Sequence, residues 1–86
     1  MIIEPPRDSG FTFYSLKDCI KCKVSEHLLK TQYGINYFGY VLCDKYIEED
    51  REEFIQYMKS LTKEETIKFP IIFVNGEYRK TTDIIK

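Results

Sequence analysis

Two cysteines three residues apart, Cys19 and Cys22, stand between the apolar run Phe11-Thr-Phe-Tyr-Ser-Leu16 and a stretch of helical periodicity. A strand that delivers Cys-Ile-Lys-Cys into the first turn of a helix sets the first sulfur among unpaired backbone N–H groups, at the positive end of the helix dipole. A thiolate is favoured there. The second sulfur, one turn on, shares that face and can close a disulfide with the first. Thiol–disulfide exchange is the leading reading of the motif. A pair of inert structural thiols is the ordinary alternative, and the strand-to-helix placement argues against it.

Size and charge narrow the options. A chain of 86 residues with 43% hydrophobic content supports one core and one domain. Its net charge of −1 gives no basic field of the kind that nonspecific nucleic-acid binding exploits. Three cysteines are an odd count and too few for a disulfide-stapled secreted miniprotein. The start Met-Ile-Ile-Glu-Pro-Pro lacks the basic and long apolar regions of a signal peptide, and no apolar run approaches membrane-spanning length. A soluble, cytoplasmic protein is expected, with neither a membrane nor a nucleic acid as partner.

Residues 1–10 read as an N-terminal arm, open to disorder, because Pro5, Pro6 and Gly10 break regular structure. The domain proper is expected over 11–86. Residues 11–16 read as a strand. Asp18 is placed to cap the helix that follows, which carries Ile20, Val24, Leu28 and Leu29 on an apolar stripe and stops at Gly34. Residues 35–43, rich in aromatic and β-branched types, read as a buried second strand. A second helix is expected over 47–61, where Ile47, Phe54, Ile55, Met58 and Leu61 recur at helical spacing and Glu48, Glu49, Asp50 and Glu52 make a solvated start. Pro70 opens a strand at 71–74, Asn75-Gly76 makes a tight hairpin turn, and residues 77–80 return as a fourth strand. Thr82 or Asp83 is placed to start a last helix.

This α/β order, with Cys19 and Cys22 at the first strand-to-helix junction, Phe69-Pro70 before the third strand, the Asn75-Gly76 hairpin and Thr82-Asp83 at the last helix, resembles the glutaredoxin family. The resemblance runs from about Phe11 to Asp83. It implies a minimal thioredoxin-like fold: a four-stranded mixed sheet in the order strand, helix, strand, helix, strand, strand, with a short C-terminal helix stub. It also implies a cis peptide at Pro70, and a dithiol oxidoreductase acting with glutathione on glutathione mixed disulfides or on protein disulfides, ribonucleotide reductase among them. Lys17, Lys21, Phe69, Pro70, Thr82 and Asp83 are then the candidate glutathione-binding and substrate-binding residues. A monomer with no bound metal is expected. The sequence departs from the family in several places. Ile20 and Lys21 replace the usual Pro-Tyr between the cysteines, and Lys68-Phe69-Pro70 replaces Thr-Val-Pro. Leu16 stands where a basic residue is usual, with Lys17 one step closer, and Lys80-Thr81 stands where a Gly-Gly pair approaches glutathione. Two reductants therefore stay open, glutathione or a thioredoxin-reductase-type flavoprotein.

The residues themselves assign the roles in exchange, with Cys19 as attacker and Cys22 as the more enclosed resolver. Lys17, Lys21 and Lys23 favour the thiolate by charge, and Asp18 opposes it unless engaged in capping. Cys43 reads as a small buried hydrophobe and His27 as an exposed side chain. These two have the right composition to join Cys19 and Cys22 in a three-Cys, one-His zinc site, but Cys43 lacks the close second ligand that such sites bring. Tyr33, Tyr37, Phe38 and Tyr40 read as core aromatics, because no basic residues interleave them for base stacking. Lys17, Lys21, Lys23, Lys68, Arg79 and Lys80 are expected to meet on one rim, suited to the two carboxylates of glutathione. A non-enzymatic module that holds a partner or a metal through the cysteine pair and the Phe69-Pro70 loop is the reading from a different class.

Overall fold

The computed structural model describes residues 2–35 and 38–84, the side chains of Phe38 and Thr82 excepted. The chain runs β1 (Phe11–Ser15), α1 (Ile20–Thr31), β2 (Phe38–Leu42), α2 (Asp44–Thr62), β3 (Ile71–Val74), β4 (Glu77–Arg79) and α3 (Thr81–Ile84). The strands form one sheet in the order β2-β1-β3-β4. β1 pairs parallel with β2 and antiparallel with β3, and β3 pairs antiparallel with β4. A parallel β1-β2 pair needs a crossover, which α1 supplies. Asn75 and Gly76 turn the β3-β4 hairpin with φ of 52° and 82°, the left-handed backbone that a two-residue hairpin demands.

Side-chain alternation along the strands divides the core in two. On one face Tyr14, Val41, Ile71 and Phe73 pack with Phe54 and Met58 of α2. On the other, Phe13 and Ile72 pack with Cys22 and Leu29 of α1, and Ile84 of α3 packs against them. Phe69 reaches both clusters, its ring stacked on Phe54 at 6.1 Å.

Several expectations need correction. The buried face of α1 is Cys22, Ser25 and Leu29, whereas Ile20 and Val24 stand 77% and 52% exposed. Cys19, not Asp18, caps this helix, its Sγ accepting from the Cys22 N–H. The helix ends at Thr31, and Gly34 then takes a φ of 68° as the Ile35 N–H bonds to the Leu29 carbonyl. β2 is an edge strand, and Tyr33 and Tyr40 are each 45% exposed instead of lying in the core. Tyr37 and the Phe38 side chain lie outside the described residues.

The second helix starts three residues earlier than the periodicity predicts and breaks at Asp50, whose backbone is extended (φ −158°, ψ 91°). The Asp50 Oδ1 accepts from the Glu53 N–H at 3.0 Å, so this carboxylate caps the helical run that follows. Asp50→Ala is expected to lower unfolding free energy by about 1 kcal/mol. Urea unfolding checks this, and an unchanged midpoint would show that packing of Phe54 and Met58 alone holds the break.

Residues 2–10 form no helix or strand but lie against the domain. The Tyr14 hydroxyl donates to the Glu4 carbonyl at 2.6 Å, the Arg7 N–H to Thr12 Oγ1 at 2.9 Å, and the Gly10 N–H to Asn75 Oδ1 at 2.8 Å. Ile3 packs on the α2 side of the core. Among the described residues no helix is long and apolar enough to cross a membrane.

Candidate active site

β1 ends at Ser15, the chain turns through Leu16, Lys17 and Asp18, and Cys19 takes an extended conformation (φ −92°, ψ 109°) at the cap of α1. The Cys22 N–H donates to Cys19 Sγ at 3.2 Å. A helix amide that would otherwise lack a partner therefore meets the sulfur. The first turn of α1 carries no acidic residue, and Asp18, which does not cap the helix, stands immediately before Cys19. Cys19 is half-buried, and Cys22, three residues on, is fully buried. Both are free thiols, as is Cys43.

The two positions differ in chemistry because they differ in solvation. Burial, and then the hydrogen bond to Cys19, push the Cys22 thiol up to about 11, against the Leu16 backbone amide and the Ser15 hydroxyl, which favour its thiolate. One sulfur is reachable at a helix N-terminus, and its partner stays protonated beneath it. Cys43 lies at 0% exposure, with burial pushing its thiol up to about 12. Its Sγ–H faces the Val41 carbonyl at 3.8 Å, the behaviour of a small hydrophobe. His27 is exposed. Among the described residues no group of three or more His, Cys, Asp or Glu side chains converges as metal ligands.

Beside Cys19 a groove of about 900 Å³ runs between α1 and the segment leading into β3. Ile20, Lys21 and Val24 form one wall, and Lys68, Phe69 and Pro70 form another, with Tyr78, Lys80 and Thr81 closing the end. Cys19 itself does not line it; the groove begins at the next residue. The Phe69-Pro70 peptide is cis, and Phe69 and Cys19 pack against the same buried cluster. Lys21, Phe69 and Pro70 thus come together, as the sequence anticipates. Lys63 joins Lys21, Lys68 and Lys80 there, with Glu64 and Glu65. Lys80 reaches Glu64 at 3.6 Å.

The other expected members sit elsewhere. The Lys17 N–H donates to Asp44 Oδ2 at 3.1 Å, and neither Lys17 nor Lys23 lines the groove. Arg79 pairs with Glu77 at 2.7 Å, so the expected rim of six basic residues reduces to Lys21, Lys68 and Lys80, with Lys63 added. Asp83 is exposed and does not line the groove; burial, Glu64 and Asp83 push up the phenol of Tyr78, which does. Thr82 lies within α3, and its side chain is outside the described residues. Ile20 and Val24 are the groove residues that sequence reasoning assigns wrongly to the core. A stripe one turn apart and shifted from Cys22-Ser25-Leu29 is the signal that separates them.

A dithiol motif at the first strand-to-helix junction of this sheet, with a proline leading into the third strand, defines a thioredoxin-like fold in its minimal glutaredoxin form. A solved structure described as the glutaredoxin of Archaeoglobus fulgidus is similar to the chain, with a TM-score of 0.57, 20% identity, and coverage of 88% of this chain and 82% of that one. No family model matches the sequence, and no curated protein matches it.

Proposed function

We propose that the protein is a dithiol oxidoreductase of glutaredoxin type that reduces glutathione mixed disulfides or protein disulfides. The observation that carries this reading is the pairing of a half-buried Cys19 Sγ, capping α1 and accepting the Cys22 N–H, with a fully buried Cys22 thiol three residues on. In the reaction Cys19 Sγ, as thiolate, attacks one sulfur of the substrate disulfide, and the other sulfur leaves with the electron pair and takes a proton. Cys22 Sγ then attacks the Cys19 sulfur of the mixed disulfide. The second substrate thiol departs, and the enzyme is left as a Cys19-Cys22 disulfide. Two thiols of glutathione, oxidised to their own disulfide, restore the dithiol.

The groove supports glutathione as that reductant. Lys21 and Lys68 offer ammonium groups to its two carboxylates, and Ile20 and Phe69 offer apolar surface beside the reacting sulfur. On the same reading the protein works as a monomer in the reducing cytoplasm, with disulfide-bearing proteins such as ribonucleotide reductase as clients. Turnover of a glutathione mixed disulfide, run in parallel with glutathione and with a thioredoxin-reductase-type flavoprotein, tests the proposal. Turnover with glutathione supports it, turnover with the flavoprotein alone replaces the reductant, and none with either, together with stoichiometric metal, points to the non-enzymatic module.

Lys21→Glu and Lys68→Glu are each expected to raise KM for the glutathione mixed disulfide roughly tenfold while kcat holds, the loss of one charge-assisted contact made equally in ground and transition states. Steady-state kinetics decides it. An unchanged KM in both variants would remove the carboxylates from this groove.

A further inference from the structure

We propose that the groove beside Cys19 selects protein clients, taking an extended segment in which aliphatic and acidic residues alternate next to the client's disulfide cysteine. The inference rests on the dithiol reading above and names the substrate class of that same site. Two aliphatic side chains carry it. Ile20 and Val24 line the groove and stand 77% and 52% exposed, although the neighbouring face of α1 is packed shut at Cys22 and Leu29. They lie four residues apart, so they form one apolar stripe along the groove wall. Glutathione, built of glutamyl, cysteinyl and glycyl units, brings no aliphatic side chain to cover such a stripe. A segment of protein does.

The charge of the groove points the same way. The whole chain carries −1, while the groove is lined by Lys21, Lys63, Lys68 and Lys80 against Glu64 and Glu65. Glu64 is engaged with Lys80 at 3.6 Å, and Glu65 stands on the boundary with a shallower hollow that carries Arg51 and Lys59. Lys21, Lys63 and Lys68 are exposed and make no ion pair among the described residues. Given Lys21 and Lys68 for the two carboxylates of glutathione, Lys63 is left over. An acidic protein segment uses all three, because a locally positive groove on an acidic chain attracts the opposite charge and turns away basic sequences.

Spacing sets the pattern. Four residues of helix advance about 6 Å from Ile20 to Val24, close to the roughly 6.6 Å between alternate residues of an extended chain. Client side chains at alternate positions therefore match the two aliphatics. The residue between them points to the opposite side, since successive side chains of an extended chain alternate. That side is the segment leading into β3, with Lys63 and Lys68, so the intervening residue is the acidic one. Ile20 directly follows Cys19, which puts the client cysteine next to the first aliphatic position.

The peptide Leu-Glu-Leu-Cys-Leu-Glu-Leu presents this pattern in both chain directions, and its cysteine is loaded as a mixed disulfide with thionitrobenzoate. Attack by Cys19 Sγ on the peptide sulfur forms the disulfide between protein and peptide, and thionitrobenzoate leaves with the electron pair as a coloured thiolate. Stopped-flow absorbance gives the second-order rate constant. Dividing it by the rate of the same peptide with mercaptoethanol removes the reactivity of the peptide itself. The wild type is expected to prefer this peptide roughly tenfold over a version with lysine for glutamate, and roughly tenfold over one with serine for leucine. Lys63→Glu is expected to invert the preference for glutamate over lysine, and Val24→Ser to cut the preference for leucine over serine roughly threefold. Each test reads a ratio within one variant, so a general loss of fold or reactivity does not mimic it, and the two variants test the groove independently. Equal or reversed preferences in the wild type would overturn the proposal. Preferences that survive both substitutions unchanged would overturn it too, by placing the selecting surface outside the groove. Release of thionitrobenzoate from no peptide at all would instead overturn the dithiol reading.

Discussion

Cys19→Ser is expected to abolish reduction of every disulfide substrate, a loss of at least roughly a thousandfold, because a serine hydroxyl at the same helix cap is not a nucleophile toward sulfur. Cys22→Ser is expected to behave differently. Its Cys19 still attacks, so the protein accumulates as a mixed disulfide carrying one substrate thiol, visible as a single adduct by mass spectrometry. With glutathione mixed disulfides this variant keeps turnover, since a free glutathione reaches the half-buried Cys19 sulfur and resolves the intermediate from outside. With protein disulfides it stalls. The asymmetry follows from position: one sulfur caps a helix and meets solvent, and the other lies at 0% exposure under the first turn. An active Cys19→Ser beside a wholly inactive Cys22→Ser would reverse the two roles.

Much of this site is legible in the sequence because its parts are local. Cys-Ile-Lys-Cys after an apolar run, Asn75-Gly76 between two strand-like runs and Pro70 at the head of the third strand are each fixed by nearest neighbours in the chain. Their order gives the topology. Features decided by what covers a face are harder to read. Ile20 and Val24 share helical spacing with Leu28, and periodicity groups them with the core, yet the groove leaves them open to solvent. Tyr40 looks like core by composition and is held at an edge by its stack on Phe13. The cap of α1 is misread at Asp18 because capping preferences favour carboxylates, and here Cys19 itself takes the extended conformation that receives the Cys22 N–H. The break at Asp50 does carry a local signal, since Asp50-Arg-Glu-Glu53 has the spacing of a capping box. It is hidden inside a longer amphipathic pattern. The bond from the Lys17 backbone N–H to Asp44 spans 27 residues, and the linear order does not bring it to mind, whereas Glu77 and Arg79 share a face at strand spacing.

The protein is expected to lose stability steeply in alkali, and Cys43 is expected to account for a large share of the loss. An ordinary thiol titrates at 9.0, while burial raises Cys43 to about 12 in the folded chain. Between those values the unfolded chain gives up a proton that the folded chain retains, so rising pH favours unfolding. The contribution of Cys43 is complete below about pH 9 and gone by about pH 12, a difference on the order of 4 kcal/mol. Cys22, raised to about 11, acts with the same sign over a narrower window, and the buried Tyr14 phenol is raised as well. Cys43→Ala separates the contributions. The variant loses some packing at every pH, yet its unfolding free energy should fall less steeply across the alkaline range, by about one proton's worth, or 1.36 kcal/mol per pH unit. Urea unfolding at a series of pH values measures both slopes. Equal slopes in wild type and Cys43→Ala would mean that the Cys43 thiol is no more protected in the folded chain than in the unfolded one, contrary to its burial between β2 and α2.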